Sequence, residues 1–232
     1  MKSAGLHRPD QNKYFSANRP TGAVEPPRQH PCLQQTHPLD PCTGLNPGFI
    51  VQHVAYPQID APQGPQRVAW NARAAKPGPA DADDCDTNSD YEIGIATQRL
   101  ISLQRTDASY CHGQAHGIFS VTADNAILQP TLRPLTAPDV FGSQHDWQKR
   151  LGELLWSALA QSGWAPPLDQ AAAIERNLKI DVSRPGYWLF TPDGLSVNFS
   201  AYEGGCYPCT PPAVTLPWAK LRPLLSPNAP VP

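Results

Sequence analysis

Three groups of residues in this sequence carry reactive or metal-binding chemistry. Cys206-Tyr207-Pro208-Cys209 is a C-x-x-C. In a dithiol oxidoreductase such a pair opens a helix, whose N-terminus stabilises the nucleophilic thiolate. Here Pro211 and Pro212 come next, and then a strand pattern. The helix that would lower the thiol pKa is missing, so the pair reads as a structural disulfide stiffening a loop. Cys111, His112 and His116, taken with Cys206 and Cys209, offer the nitrogen and sulfur ligands that zinc takes. The spacing of the first half is no familiar zinc knuckle, and oxidation of the cysteines would abolish the site. Asp84, Asp86, Asn88 and Asp90 place hard oxygens at the alternate positions that open a calcium loop. Ser89 stands where such a loop needs glycine, and Ile95 where it needs a bidentate glutamate. The residues after Asp90 have a strand pattern, so Asp81–Asp90 is expected to be a solvated acidic loop. No G-x-S-x-G, S-x-x-K or H-E-x-x-H occurs. The residues thus assign no catalytic group, no cofactor and no metal.

Composition sets the frame for these residues. The chain has 232 residues and a formal net charge of −2, with lysine and arginine scattered. That excludes the concentrated basic patch a nucleic acid or anionic membrane requires. Charged residues make up 16%, below the ~25% of an average soluble domain. Proline reaches 28 residues, more than twice the usual ~5%. No apolar stretch approaches the ~20 residues of a transmembrane helix, and Met1–Pro20 is polar throughout, without a visible signal peptide. Six cysteines, an even number, point to an oxidising compartment. A leader upstream of this sequence, or another export route, reconciles the two.

Residues 1–48 read as a proline-rich, poorly ordered tail that lacks the apolar surface to offset its ordering entropy. Within it Cys32 and Cys42 flank a short turn and could close a local loop. Residues 49–232 read as a single domain with subregions 49–130 and 131–232. Phe49–Val54 begins the first strand, Tyr56–Ile59 continues it, and Val68–Ala75 suggests a short helix stopped by Lys76-Pro77-Gly78-Pro79. Tyr91, Ile93 and Ile95 alternate with Glu92, Gly94 and Ala96, and Leu100–Leu103 comes after a short break, the period-2 pattern of a half-buried antiparallel pair. A hairpin turning at Gln98 places Cys85 opposite Cys111, as a disulfide across the ladder requires.

Ser143–Ser162 is the clearest helix. Ser143 and Asp146 have cap spacing, Trp147, Leu151, Leu154, Leu155, Ala158 and Leu159 form one stripe, and Gly163 with Pro166-Pro167 ends it. A shorter helix runs from Asp169 to about Leu178. Tyr187–Phe190, a Thr191-Pro192-Asp193-Gly194 turn, Leu195–Phe199 and Val214–Leu216 read as strands, with Trp218–Leu225 a last short helix. Trp147, Trp156, Trp188 and Trp218 sit in apolar patterns and belong to the core. The fold class is α+β: an antiparallel sheet packed by one long and one or two short helices.

From about Tyr56 onward the order of segments resembles the RsiV-like C-terminal domain family of bacterial envelope proteins. The residues that carry this are Leu100-Ile101-Ser102-Leu103, Tyr110, Gly113-Gln114-Ala115-His116-Gly117, Leu135–Phe141, Phe190-Thr191-Pro192-Asp193-Gly194-Leu195, Phe199, Tyr202 and Val214–Leu221. The family includes lysozyme-binding sensor domains of anti-sigma factors, modules of peptidoglycan-modifying enzymes and envelope lipoproteins. The resemblance implies a periplasmic or extracellular, non-catalytic domain that binds an envelope protein of the lysozyme kind or a cell-wall glycan. The loop after the family's late tyrosine corresponds to Tyr202–Tyr207. Cys206 and Cys209 depart from the family pattern there. The expected recognition face is loops 110–117 and 202–210, with His112, His116, Tyr202 and Tyr207 as partner-binding residues. The competing expectation is a peptidoglycan-acting or metal-assisted hydrolase using His112, His116 and the Asp81–Asp90 cluster.

Overall fold

The computed structural model describes residues 85–111 and 113–232, residues 57–59 and 64–74, and short strand pieces at 15–16, 28–29, 49–50 and 52–54. Cys32, Cys42, His112, Asp81–Asp84 and nearly all of the proline-rich tail lie outside these residues.

In chain order the strands and helices begin with β1 (Phe15–Ser16), β2 (Arg28–Gln29), β3 (Phe49–Ile50), β4 (Gln52–Val54), β5 (Gln58–Ile59) and α1 (Pro65–Ala74). The long strands β6 (Cys85–Ala96), β7 (Leu100–Cys111) and β8 (Ile118–Ile127) come next, then β9 (Arg133–Pro134) and the helices α2 (Ala137–Phe141), α3 (Trp147–Gln161) and α4 (Ala171–Asp181). The chain ends with β10 (Trp188–Phe190), β11 (Gly194–Val197), β12 (Val214–Pro217) and α5 (Trp218–Leu221). β1 pairs with β5 and β2 with β3. The main sheet has the order β4-β6-β7-β8-β9, and a second sheet the order β10-β11-β12. All neighbours are antiparallel except β4 with β6. The class is α+β.

The hairpin β6–β7 turns at Thr97–Arg99, closed by the Thr97 N–H donating to the Leu100 carbonyl at 2.8 Å. Its register runs from Ala96↔Ile101 to Cys85↔Cys111 across a bulge between Ile93 and Ile95. The bulge lets the main chain come close to the second sheet. A Cβ on Gly94 would stand 2.1 Å from the Phe190 carbonyl oxygen, so only glycine fits. Side chains alternate across β7. Ile101 and Leu103 pack on one face beside Trp70 of α1. Leu100 joins the other face, where α2, α3, α4 and the second sheet close a core around Leu155, Phe141, Trp188 and Phe190. Two hydrogen bonds rivet the sheets together: the Phe190 N–H donates to Ser102 Oγ at 2.8 Å, and Asn125 Nδ2 donates to the Trp188 carbonyl at 2.8 Å. Trp147, Trp188 and Trp218 are buried, and Trp156 packs at the edge of this core.

The structure departs from the sequence pattern at several places. Asp86, Asn88 and Asp90 are not in a loop; they lie on β6, opposite Tyr110, Ala108 and Thr106. Their alternate spacing is the period of a strand, which puts every second side chain on one face. The helix expected from Ser143 starts at Trp147, with no side-chain cap. The T-x-x-D of the preceding α2 is the real capping box: Asp139 accepts from the Thr136 N–H at 2.8 Å and hydroxyl at 2.7 Å. Gly142, at φ 63°, then separates the two helices. α1 starts at Pro65, three residues before the expected start, because proline fits the first turn of a helix. β8 has no counterpart among the strands expected from periodicity.

Candidate functional site

The hairpin's far end, away from the turn, is where chemistry-bearing side chains gather. Cys85 and Cys111 are directly opposed with Cα atoms 3.9 Å apart and are joined by a disulfide. Cys206 and Cys209 form a second disulfide, across a 3-10 turn that carries Tyr207. Among the described residues no cysteine is free, and no group of three His, Cys, Asp or Glu is placed to hold a metal. The four cysteines are therefore not available as thiolate ligands for the zinc arrangement.

The loop from Ser200 to Thr210 is held against the main sheet at several points. The Ala201 N–H donates to the Phe119 carbonyl at 3.0 Å, and the Val121 N–H donates to Ser200 Oγ at 3.0 Å. Those bonds occupy the outer edge of β8. Glu203 anchors the loop from beneath: its carboxylate accepts from the Tyr187 hydroxyl at 2.6 Å and the Ser200 N–H at 3.1 Å. Burial pushes the Glu203 carboxyl up, against the pull of these two donors, and burial together with Glu203 pushes the Tyr187 hydroxyl up strongly. Gly204 is enclosed; a Cβ there would stand 1.9 Å from the Cys209 carbonyl oxygen. Trp164 Nε1 donates to that same carbonyl at 2.9 Å.

This scaffold holds Tyr202 at φ 70°, a left-handed conformation rarely adopted by an aromatic residue. The strain is held by the Tyr202 N–H donating to Thr210 Oγ1 at 3.2 Å and the Gly205 N–H donating to the Tyr202 carbonyl at 2.8 Å. The Tyr202 ring is thereby turned outward to His116. His116 Nδ1 donates to the Gly117 carbonyl at 2.9 Å, and Nε2 shares a hydrogen bond of 3.1 Å with the Tyr202 hydroxyl. Tyr207 packs against His116 at a tilt of 32° with centroids 4.3 Å apart and meets Tyr202 edge-on at 5.7 Å. Phe119 lies edge-on to Tyr207 at 6.3 Å. The structure thus brings His116, Tyr202 and Tyr207 together from loops 86 residues apart in sequence.

The patch is open to solvent. Tyr202 is 45% exposed, Ile118 43% and Tyr110 42%. Beside it runs a groove of about 520 Å³ lined by Asp86, Asn88, Ala108, Tyr110, Phe119 and Tyr207, among others. Sequence spacing marks Asp86 and Asn88 as calcium ligands, and Asp86 also as part of the acidic cluster of the hydrolase reading, but it does not mark Ile118 or Phe119 at all. Yet the symmetry about Gln98 that pairs Cys85 with Cys111 also pairs Asp86 with Tyr110 and Asn88 with Ala108.

Fold and site together define an α+β domain that displays an aromatic surface on a loop closed by a disulfide. No protein-family profile matches the chain, and no curated protein matches it. Among solved structures it is similar to two DUF3298 family proteins. One, from Bacteroides fragilis, is 20% identical with a TM-score of 0.48, covering 70% of this chain and 64% of that protein. The other, from Pseudomonas aeruginosa, is 18% identical with a TM-score of 0.40, covering 62% of this chain and 64% of that one. The chain thus spans just under two thirds of the length of each.

Proposed function

We propose that this chain is a non-catalytic binding domain of the bacterial cell envelope, of the RsiV-like kind. Its recognition face is His116, Tyr202 and Tyr207 with the neighbouring groove. The observation that carries the reading is the exposed tyrosine–histidine cluster on a backbone fixed by a disulfide and by strain at Tyr202. Aromatic side chains held rigid before binding lose little entropy on capture and dominate binding energies. All three side chains sit outside both buried cores. The partner is an envelope protein of the lysozyme kind or a cell-wall glycan. Both disulfides favour a periplasmic or extracellular setting. Among the described residues no helix is long and apolar enough to cross a membrane. In this reading residues 49–232 form the binding domain and residues 1–48 a tail.

The test is retention of the purified, oxidised protein on isolated sacculi and on immobilised lysozyme. Tyr202→Ala and Tyr207→Ala should each weaken retention on one of them about tenfold or more. The melting temperature should stay within about 2 °C, as expected for surface substitutions. Parallel loss of binding and stability would make these rings core, not contact.

A second reading, a peptidoglycan-acting or metal-assisted hydrolase, draws on one observation. Asp86 lines the groove that Tyr207 borders, and Tyr207 packs against His116. It requires turnover of cell-wall fragments that disappears in His116→Ala.

A further inference from the structure

We infer that the groove at the disulfide end of the main sheet is a saccharide site, shaped for a neutral pyranose oligosaccharide. This rests on the binding reading above and narrows its ligand class. Opposed residues of an antiparallel pair share a face. Asp86, Tyr110, Asn88, Ala108 and Phe119 therefore project on the same side of β6, β7 and β8. Ala108 sits between Asn88 on one strand and Phe119 on the other, and its single methyl leaves a depression in that row. Aromatic residues border the depression: Tyr110, Phe119 and Tyr207 all line the groove. A carboxylate and an amide, Asp86 and Asn88, line its β6 side.

A pyranose ring has one face of C–H groups and a rim of hydroxyls, each both donor and acceptor. The aromatic side of the groove suits the first. At the rim, Asp86 and Asn88 each already hold an interaction within the protein. The capacity that a carboxylate and an amide keep beyond one partner, acceptors on Asp86 and both donor and acceptor on Asn88, suits a pair of neighbouring hydroxyls. The volume of about 520 Å³ falls within the ~300–1,000 Å³ of small-ligand sites.

Backbone pairing argues against an extended peptide. Strand addition needs an edge with unpaired N–H and C=O groups. Here Thr87 and Asn88 of β6 are paired with β4 on one side and β7 on the other. At the opposite edge the Phe119 carbonyl and the Val121 N–H are already taken by Ala201 and Ser200. A ligand in this groove meets side chains, not free main chain. Asp86, with Asp90 further along the same face of β6, disfavours anionic sugars.

The experiment is titration of the oxidised protein with tri-N-acetylchitotriose, cellotriose and an oligogalacturonide, read by calorimetry and amide NMR. At least one neutral probe should bind, with shifts centred on residues 86–88, 108–110 and 117–119, and the anionic probe should bind tenfold or more weakly. Ala108→Phe, which fills the depression, should abolish binding. Tyr110→Ala should weaken it tenfold or more, while Tyr110→Phe, which keeps the ring, should stay within twofold. The Tyr110 pair keeps the test decisive should Ala108→Phe fail to fold. Absence of binding by either neutral probe, or binding that both Ala108→Phe and Tyr110→Ala leave unchanged, overturns the saccharide site. In either case, retention on lysozyme that Tyr202→Ala and Tyr207→Ala still abolish would leave the envelope-binding reading standing, whereas loss of both would overturn the two together.

Discussion

The two ends of the β6–β7 hairpin are built on opposite principles. Near the turn, Ile95, Leu100, Ile101 and Leu103 are almost fully buried, enclosed by α1 on one face and by the second sheet on the other. At the far end, Tyr110 and Ile118 are about two-fifths exposed, and the strands are tied by the Cys85–Cys111 disulfide. Hydrophobic burial stabilises the first end at roughly 25 cal/mol per Å². Such burial is scarce at the second end, where covalent links and loop hydrogen bonds hold the geometry. A surface that must present rings to a partner cannot also bury them, so its order has to come from elsewhere.

Breaking the buried end should have the largest effect. Trp188 is fully buried, lies edge-on to Phe141, Trp147 and Phe190, and donates from Nε1 to the Val182 carbonyl at 2.6 Å. Trp188→Ala should cost about 3–5 kcal/mol, measured by urea unfolding, with loss of near-ultraviolet signal. A cost below about 1 kcal/mol would mean that this core is not the stabilising centre.

Next comes the other end. Replacing Cys85 and Cys111 together by serine removes a link closing a 26-residue separation and should cost about 2–4 kcal/mol. Amide exchange should accelerate over residues 85–90 and 106–111 and stay slow over 95–103. Uniform acceleration along the hairpin would erase the distinction between the two ends.

A smaller effect, at the exposed cap of α2, is electrostatic. Hydrogen bonds from Arg133 hold the Asp139 carboxyl far below its ordinary range against the opposing effect of burial, and those from Thr136 add to the pull. A lowered folded pKa gives stability that is complete above the unfolded value, ~4. That stability is lost as pH falls through the folded value. Asp139→Asn should therefore cost about 1 kcal/mol near neutral pH and flatten the acid limb of a stability–pH curve below about pH 4. An unchanged acid limb would show that the cap contributes nothing.

The smallest stability effect belongs to the exposed face. Tyr202→Ala should change unfolding free energy by under about 0.5 kcal/mol, as surface substitutions usually do, and Tyr207→Ala, which removes a half-buried ring, by up to about 1 kcal/mol, while both remove most binding. Relief of the positive φ by Tyr202→Gly should be neutral or slightly stabilising in thermal melts.

Much of the fold is legible because burial imposes a period. The stripe from Trp147 to Leu159 marks an apolar face, and the structure places a helix there. The alternation around Tyr91–Ile95 marks a strand, but the bulge splits its face, with Tyr91 packed beside the Trp70 cluster, Ile93 40% exposed and Ile95 in the opposite core. β8 is hidden in the sequence because its buried positions include Ala123, Asn125 and Ala126. These side chains are too small or too polar to signal a core. Asn125 is buried because it bonds to the Trp188 and Pro185 carbonyls at the start of the second sheet, partners 60 or more residues away. The acidic stretch misleads for a related reason: alternate oxygen ligands in a loop and alternate side chains on a strand share one spacing, and only pairing tells them apart.

The candidate site divides the same way. Tyr202, Tyr207 and His116 are legible as residues, but their meeting is not. It depends on Ser200 and Ala201 bonding to the edge of β8 and on Glu203 bonding to Tyr187. By itself the sequence determined the α+β class, the long helix, the turn of the hairpin and the register that opposes Cys85 to Cys111. These come from local periodicity and from symmetry about Gln98; in the structure the turn centres between Gln98 and Arg99, and the bulge between Ile93 and Ile95 restores the register that opposes the two cysteines. Only the tertiary structure decided that two distant loops share one surface, that Ala108 lies between an asparagine and a phenylalanine, and that the strand edges beside the groove are already paired. Those facts are set by which elements pack together, and contacts between distant segments leave no period in the chain.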